Sequence, residues 1–141
     1  MSEPQSQPSV LFVCAHNAGR SQIAAAFLEE LAGDRVQVRS AGPEPGERVN
    51  PLVVQAMAEV GIDLSGRTPR QLTEETVGAS EVVVTTSGAD ACATLPGQRH
   101  VDWPVEDVAG KDLDGVRAIR DDIRARVQLL ADGLTPRPHD R

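Results

Sequence analysis

Residues 10–33 read VLFVCAHNAGRSQIAAAFLEELAG, and a change of pattern inside this stretch decides the fold. Val10 to Val13 is an unbroken apolar run, as expected for a strand buried on both faces. From Gln22 to Leu31 the apolar residues Ile23, Ala24, Phe27, Leu28 and Leu31 recur at helical spacing, and Gly33 ends the helix. A short loop, Cys14 to Ser21, joins the two. Val36 to Arg39 reads as a second strand, closed by Ser40-Ala41-Gly42-Pro43. Pro51 to Val60 reads as a helix, with Pro51 suited to its first turn and Gly61 past its end.

A turn and a short polar helix over Pro69 to Val77 follow, then a third strand at Glu81 to Val84 and a short fourth at His100-Val101. The last helix runs from Leu113 to Leu130, with Val116, Ile119, Ile123, Val127 and Leu130 as its buried stripe. Strands alternating with helices imply right-handed crossovers and a parallel sheet covered on both faces, an α/β fold. Such sheets bind ligands outside the carboxyl ends of their strands. The loops after Val13, Arg39, Val84 and Val101 are therefore where chemistry is expected. One domain over residues 9–132 is predicted, with polar, proline-containing tails at 1–8 and 133–141.

The chain has 141 residues, 40% of them hydrophobic and 25% charged, within the range of a globular domain. A net charge of −7 argues against nucleic acid or an anionic membrane as partner. An anion site would have to be built locally, from backbone N–H groups and a few arginines. The N-terminal residues have neither the basic nor the apolar stretch of a signal peptide, so the expected location is cytoplasmic. The two cysteines, Cys14 and Cys92, form no disulfide framework, and no Cys/His spacing suggests a metal site.

The loop Cys14-Ala15-His16-Asn17-Ala18-Gly19-Arg20-Ser21 leaves a buried strand at its carboxyl end and enters a helix. Such a turn points successive N–H groups at one spot, and the helix N-terminus adds positive potential. The expected oxyanion cradle is Ala15, His16, Asn17, Ala18, Gly19, Arg20 and Ser21. Gly19 permits close backbone approach, and Asn17 tolerates the left-handed conformation. Arg20 offers a planar fork to two oxygens. The same field favours a thiolate at Cys14, with Ser21 placed to donate to the sulfur; beneath a tetrahedral oxyanion, that thiolate is set for in-line attack. The His16 side chain reads as a solvated loop residue.

These residues resemble the low-molecular-weight protein tyrosine phosphatase superfamily, and more closely its arsenate reductase branch. The resemblance runs through SAG at 40–42, VNPLVVQAM at 49–57, GIDLS at 61–65, EVVVTT at 81–86 and DWPVEDVAGKD at 102–112. It implies a phosphatase-I-like, three-layer α/β/α domain with a four-stranded parallel sheet in the order 2-1-3-4. Gln22 after the loop Arg-Ser, Gly19 where the phosphatases usually carry a second Cys, and an acid loop without tyrosine favour the arsenate branch. The resemblance makes Asp107 the general acid, although Val108 follows it where the family usually has proline. Glu106 and Asp102 are read as solvated carboxylates, and Trp103 as a core or pocket-wall residue.

The resemblance implies a thiol-dependent arsenate reductase, like the arsenate–mycothiol transferases, with no tightly bound cofactor. A small thiol such as mycothiol would be the co-substrate, and a mycoredoxin, glutaredoxin or thioredoxin-type protein the reductant. Cys92 is a candidate redox thiol: members coupled to thioredoxin use three cysteines, and this chain has two. The alternatives are an aryl phosphatase working through a phosphocysteine and a non-catalytic anion-binding module.

Overall fold

The computed structural model of the chain describes residues 8–86 and 98–134. Four parallel strands, β1 (Ser9–Val13), β2 (Gln37–Ala41), β3 (Val82–Thr86) and β4 (Arg99–Trp103), form one sheet in the order β2-β1-β3-β4. The architecture is the expected α/β sandwich with order 2-1-3-4. Strand β1 is central and wholly buried, pairing Val10 with Val38 on one side and with Val82 on the other.

Alternation along the strands divides the core. Val10, Phe12, Val82 and Val84 face α1 (Arg20–Ala32), α2 (Pro51–Ala58) and α4 (Leu113–Leu134), and Ile23, Phe27, Leu28, Met57, Ile123 and Val127 complete that layer. Leu11, Val13, Ala41 and Val83 face the opposite way, against Val77 of the short α3 (Glu74–Gly78). Each Val, Leu, Ile, Met or Phe side chain so buried contributes roughly 1.5–3 kcal/mol.

Boundaries differ from the expected ones for identifiable reasons. Helix α1 begins at Arg20, two residues early, because the Gly19 carbonyl already accepts from Ile23 N–H at 2.9 Å. Leu31, expected in its apolar stripe, is 40% exposed. The short polar helix starts at Glu74, capped by Thr73, rather than at Pro69. Residues 70–72 instead lie alongside the end of β2: Gly42 N–H donates to the Arg70 carbonyl and Leu72 N–H to that of Gly42. Helix α4 continues to Leu134, past the expected Leu130 and into the segment read as tail. Among the described residues no helix is long and apolar enough to cross a membrane.

Candidate functional site

The loop between β1 and α1 crosses the carboxyl edge of the sheet, where Cys14 N–H extends the pairing of β1 by donating to Ala41. Every carbonyl from Ala15 to Gly19 is turned away and paired. Ala15 accepts from Glu44 N–H at 2.9 Å, His16 from Gly46 N–H at 2.9 Å, Ala18 from Asn50 N–H at 2.8 Å and Gly19 from Ile23 N–H at 2.9 Å. Asn17 accepts from the Gln22 side chain at 3.1 Å. The N–H groups of residues 15–20, by contrast, have no acceptor among the described residues. Acceptors satisfied and donors left open is the arrangement of an anion nest.

Asn17 holds the turn. Its φ of 50° places it in the left-handed region, which asparagine tolerates better than most residues. Fully buried, it donates from Nδ2 to Ser21 Oγ at 2.7 Å, and its Oδ1 accepts from Arg70 N–H at 2.8 Å and Gln22 Nε2 at 3.1 Å. Ser21 Oγ, 2.8 Å from Cys14 Sγ, therefore has its proton free for the sulfur, and Ser21 N–H lies 3.4 Å from the same atom. Two donors thus converge on a thiol that is itself buried. Gly42, of the Ser-Ala-Gly turn, lies so close that a Cβ there would sit 2.4 Å from the Cys14 carbonyl oxygen.

The Arg20 guanidinium is fixed by the end of β3 and by the loop that follows β4. Its Nη1 donates to the carbonyls of Thr86 at 2.9 Å and Val105 at 3.1 Å, and Nη2 lies 3.7 Å from Asp107 Oδ2. Nε is buried and has no partner among the described residues. An unsatisfied buried donor is costly, and an oxyanion over the loop would satisfy this one. Asp107 is half exposed, and its other oxygen accepts from Ala109 N–H at 3.2 Å.

The structure thus brings Cys14, Arg20, Ser21 and Asp107 to one place and keeps the neighbouring carboxylates out of it. Glu106 is 3.5 Å from Lys111 Nζ and largely solvated. Asp102, on β4, accepts from Thr85 Oγ1 at 2.6 Å across the sheet and belongs to the strand pairing. Trp103 is buried, its ring 5.8 Å from that of Phe12. His16 is exposed as expected, but its Nδ1 donates to the Glu44 carbonyl at 2.8 Å, a partner no local reading of the loop supplied. The support from residues 44–50, the Val105 carbonyl and the locking amide of Gln22 were not read from the sequence; the VNP signal before α2 was their nearest trace. Cys92 lies outside the described residues. Separately, a cavity of ≈ 800 Å³ opens at the outer edge of β2, between Arg39, Arg70, Gln71 and Gln22 and away from the thiol.

A parallel sheet carrying a thiol beneath an anion nest at its carboxyl edge defines a thiol-based, oxyanion-handling α/β protein. More specifically, the chain belongs to the low molecular weight phosphotyrosine protein phosphatase family, whose pattern it matches over residues 9–137. It is 40% identical over 128 residues to arsenate reductase 1 of Staphylococcus epidermidis, which covers 87% of this chain and 95% of the relative. Among solved structures it resembles a thioredoxin-dependent arsenate reductase of Corynebacterium glutamicum, with a TM-score of 0.80 and 39% identity. That match covers 91% of this chain and 62% of the other. An arsenate reductase in the phosphate binding state matches with a TM-score of 0.81 and 32% identity, over 92% of this chain and all of that one.

Proposed function

We propose that this chain is a thiol-dependent arsenate reductase. The observation that carries the choice over an aryl phosphatase is the placement of its aromatic residues. The chain has two Phe, one Trp and no Tyr, and Phe12, Phe27 and Trp103 are all buried. None is left at the mouth of the site to grip an aromatic ester. A small inorganic oxyanion needs only the nest and Arg20. The similarity to arsenate reductases supports the same reading.

Arsenate settles over residues 15–20 with oxygens on the loop N–H groups and on Arg20, whose buried Nε has no partner among the described residues. The Cys14 thiolate attacks arsenic in line; the As–S bond forms as an As–O bond breaks, and the departing oxygen leaves as water with the proton of Asp107. A small thiol, mycothiol or one like it, then attacks arsenic and displaces Cys14. A thiol of a glutaredoxin-type partner attacks the sulfur of that adduct. Arsenic takes the bonding pair and leaves as arsenite, reduced from As(V) to As(III), while the two thiols are oxidised to a disulfide. In an alternative route, Cys92 attacks Sγ of the arsenylated Cys14, the As–S bond breaks with its pair going to arsenic, which leaves as arsenite, and a thioredoxin-type reductase reopens the Cys14–Cys92 disulfide.

The test is arsenite production by purified protein supplied with arsenate and, separately, mycothiol with a mycoredoxin, glutathione with a glutaredoxin, and thioredoxin with its reductase. Aryl phosphate hydrolysis is run alongside. Arsenite should appear in at least one thiol system and vanish in Cys14→Ser. Rapid aryl phosphate hydrolysis with no arsenite in any system sinks the proposal and leaves the phosphatase reading. Full turnover by Cys92→Ser removes the internal-disulfide route.

A further inference from the structure

Two places where this chain departs from the phosphatase pattern, Gly19 and Val108, touch each other. A methyl group built on Gly19 would lie 2.4 Å from Val108 Cγ2, closer than side-chain carbons approach, whereas Val108 Cβ would be 3.7 Å away, an ordinary contact. Val108 is 3% exposed and belongs to the main core, and as a β-branched residue it has little rotamer freedom with which to retreat.

We propose that Val108 is a positioning residue for Asp107, seated in a socket that exists only because residue 19 has no side chain. The inference rests on the reading of Asp107 as proton donor. Within 104–112, the largely solvated Glu106 and the half-exposed Asp107 stand between two buried valines. Val105, 2% exposed, gives its carbonyl to Arg20; Val108 gives its side chain to the Gly19 socket. Lys111 N–H donates to the Val108 carbonyl at 3.1 Å, closing a turn that Gly110 allows at φ +78°.

Asp107, half exposed, has no contact deep enough to place it by itself. Its bond to Ala109 lies within its own loop, and 3.7 Å from Arg20 Nη2 is a loose tether. Val108 fixes the height of the loop over the anion nest, and with it the reach of the Asp107 carboxyl to the departing oxygen. Gly19 and Val108 are thus one packing unit split between two loops.

The test is a double-mutant cycle on the full chain, with Asp107→Asn as reference. Gly19→Ala should lower kcat for arsenate by about 10- to 100-fold, the scale on which a misplaced group loses efficiency, with KM changed far less. It should also flatten the basic limb of the pH–kcat profile, the effect expected of Asp107→Asn. Gly19→Ala/Val108→Ala, in which the offending Cγ2 is gone, should regain most of the lost kcat and the limb. Emission from Trp103, the lone tryptophan, at the end of β4 before this loop, should shift in Gly19→Ala and return in the double variant.

Wild-type kcat and pH profile in Gly19→Ala, or a double variant no better than the single, overturns the proposal. Should Gly19→Ala not fold, Val108→Ala decides: a reduced kcat and a flattened limb with unchanged alkylation of Cys14 support it, and a wild-type profile overturns it. A wild-type profile in Asp107→Asn instead sinks the reading of Asp107 as acid; the Trp103 cycle then still decides whether Val108 seats the loop.

Discussion

Ser21 Oγ already accepts from Asn17 at 2.7 Å, which leaves its hydroxyl proton for Cys14 Sγ at 2.8 Å. A hydrogen bond to a charged group is worth about 1.5–3 kcal/mol. Ser21→Ala should therefore slow alkylation of Cys14 at neutral pH by about 10- to 100-fold, read from iodoacetamide kinetics, with the fold intact by circular dichroism. An unchanged rate would mean that Ser21 does not govern the thiolate. Arg20→Lys tests the fork. A lysine cannot bond Thr86 and Val105 carbonyls and still present a second donor to the anion. The expected loss in kcat/KM for arsenate is about 10²- to 10³-fold, the range for deleting a donor aimed at developing charge. Cys14, Arg20 and Ser21 were legible because strand, loop and helix are adjacent in sequence and the chemistry of the loop is local. Gln22 was readable only as a residue type; its task, bonding both oxygens of Asn17, depends on a fold in which Arg70 N–H reaches the same side chain.

Among the elements, α2 shows how stability and chemistry separate. Its N-cap, Asn50, accepts from Leu52 N–H at 2.8 Å with its side chain, while its backbone N–H donates to Ala18 in the anion loop at 2.8 Å. Asn50→Ala deletes the first bond and keeps the second. It should cost about 1 kcal/mol, seen as a lower urea midpoint at unchanged slope, while kcat for arsenate at room temperature stays near wild type. A large fall in kcat with unchanged stability would show that the side chain acts on the loop. The alternation of elements was plain from runs such as Val10–Val13 and the stripe of α4, because burial imposes their period. Where non-local bonds decide, it was not. Pro69 to Gln71 looked helical, yet this segment's backbone pairs with Gly42, far off in sequence. Leu31 kept the period of α1 but lies at its far end, where it is 40% exposed.

For the molecule as a whole, resistance to acid should depend on the join between α2 and α4. Glu59, just past the end of α2, lies 2.7 Å from Arg117 Nη2 and 2.9 Å from Arg120 Nη1, and Arg120 also donates to the Ala56 carbonyl. Hydrogen bonds from Arg117, then from Arg120, hold the Glu59 carboxyl at about 2, below its ordinary value of 4.5. Asp63, in the turn that follows, is lowered as well, by the Ser65 hydroxyl and then its N–H. A carboxyl that is more acidic in the folded state than in the unfolded one binds fewer protons when folded. Its stabilising contribution is complete above about pH 4.5 and is lost as the pH falls through about 2. The arginines keep their charge throughout that window, so the slope belongs to the carboxylates. Glu59→Gln should accordingly melt below wild type at pH 7, and the two melting temperatures should converge as the pH approaches 2. Because Glu59 is partly exposed, high salt should shrink the difference at pH 7. A constant gap between wild type and Glu59→Gln from pH 7 to 2 would show that the pair joins α2 to α4 by packing alone, without a contribution from charge.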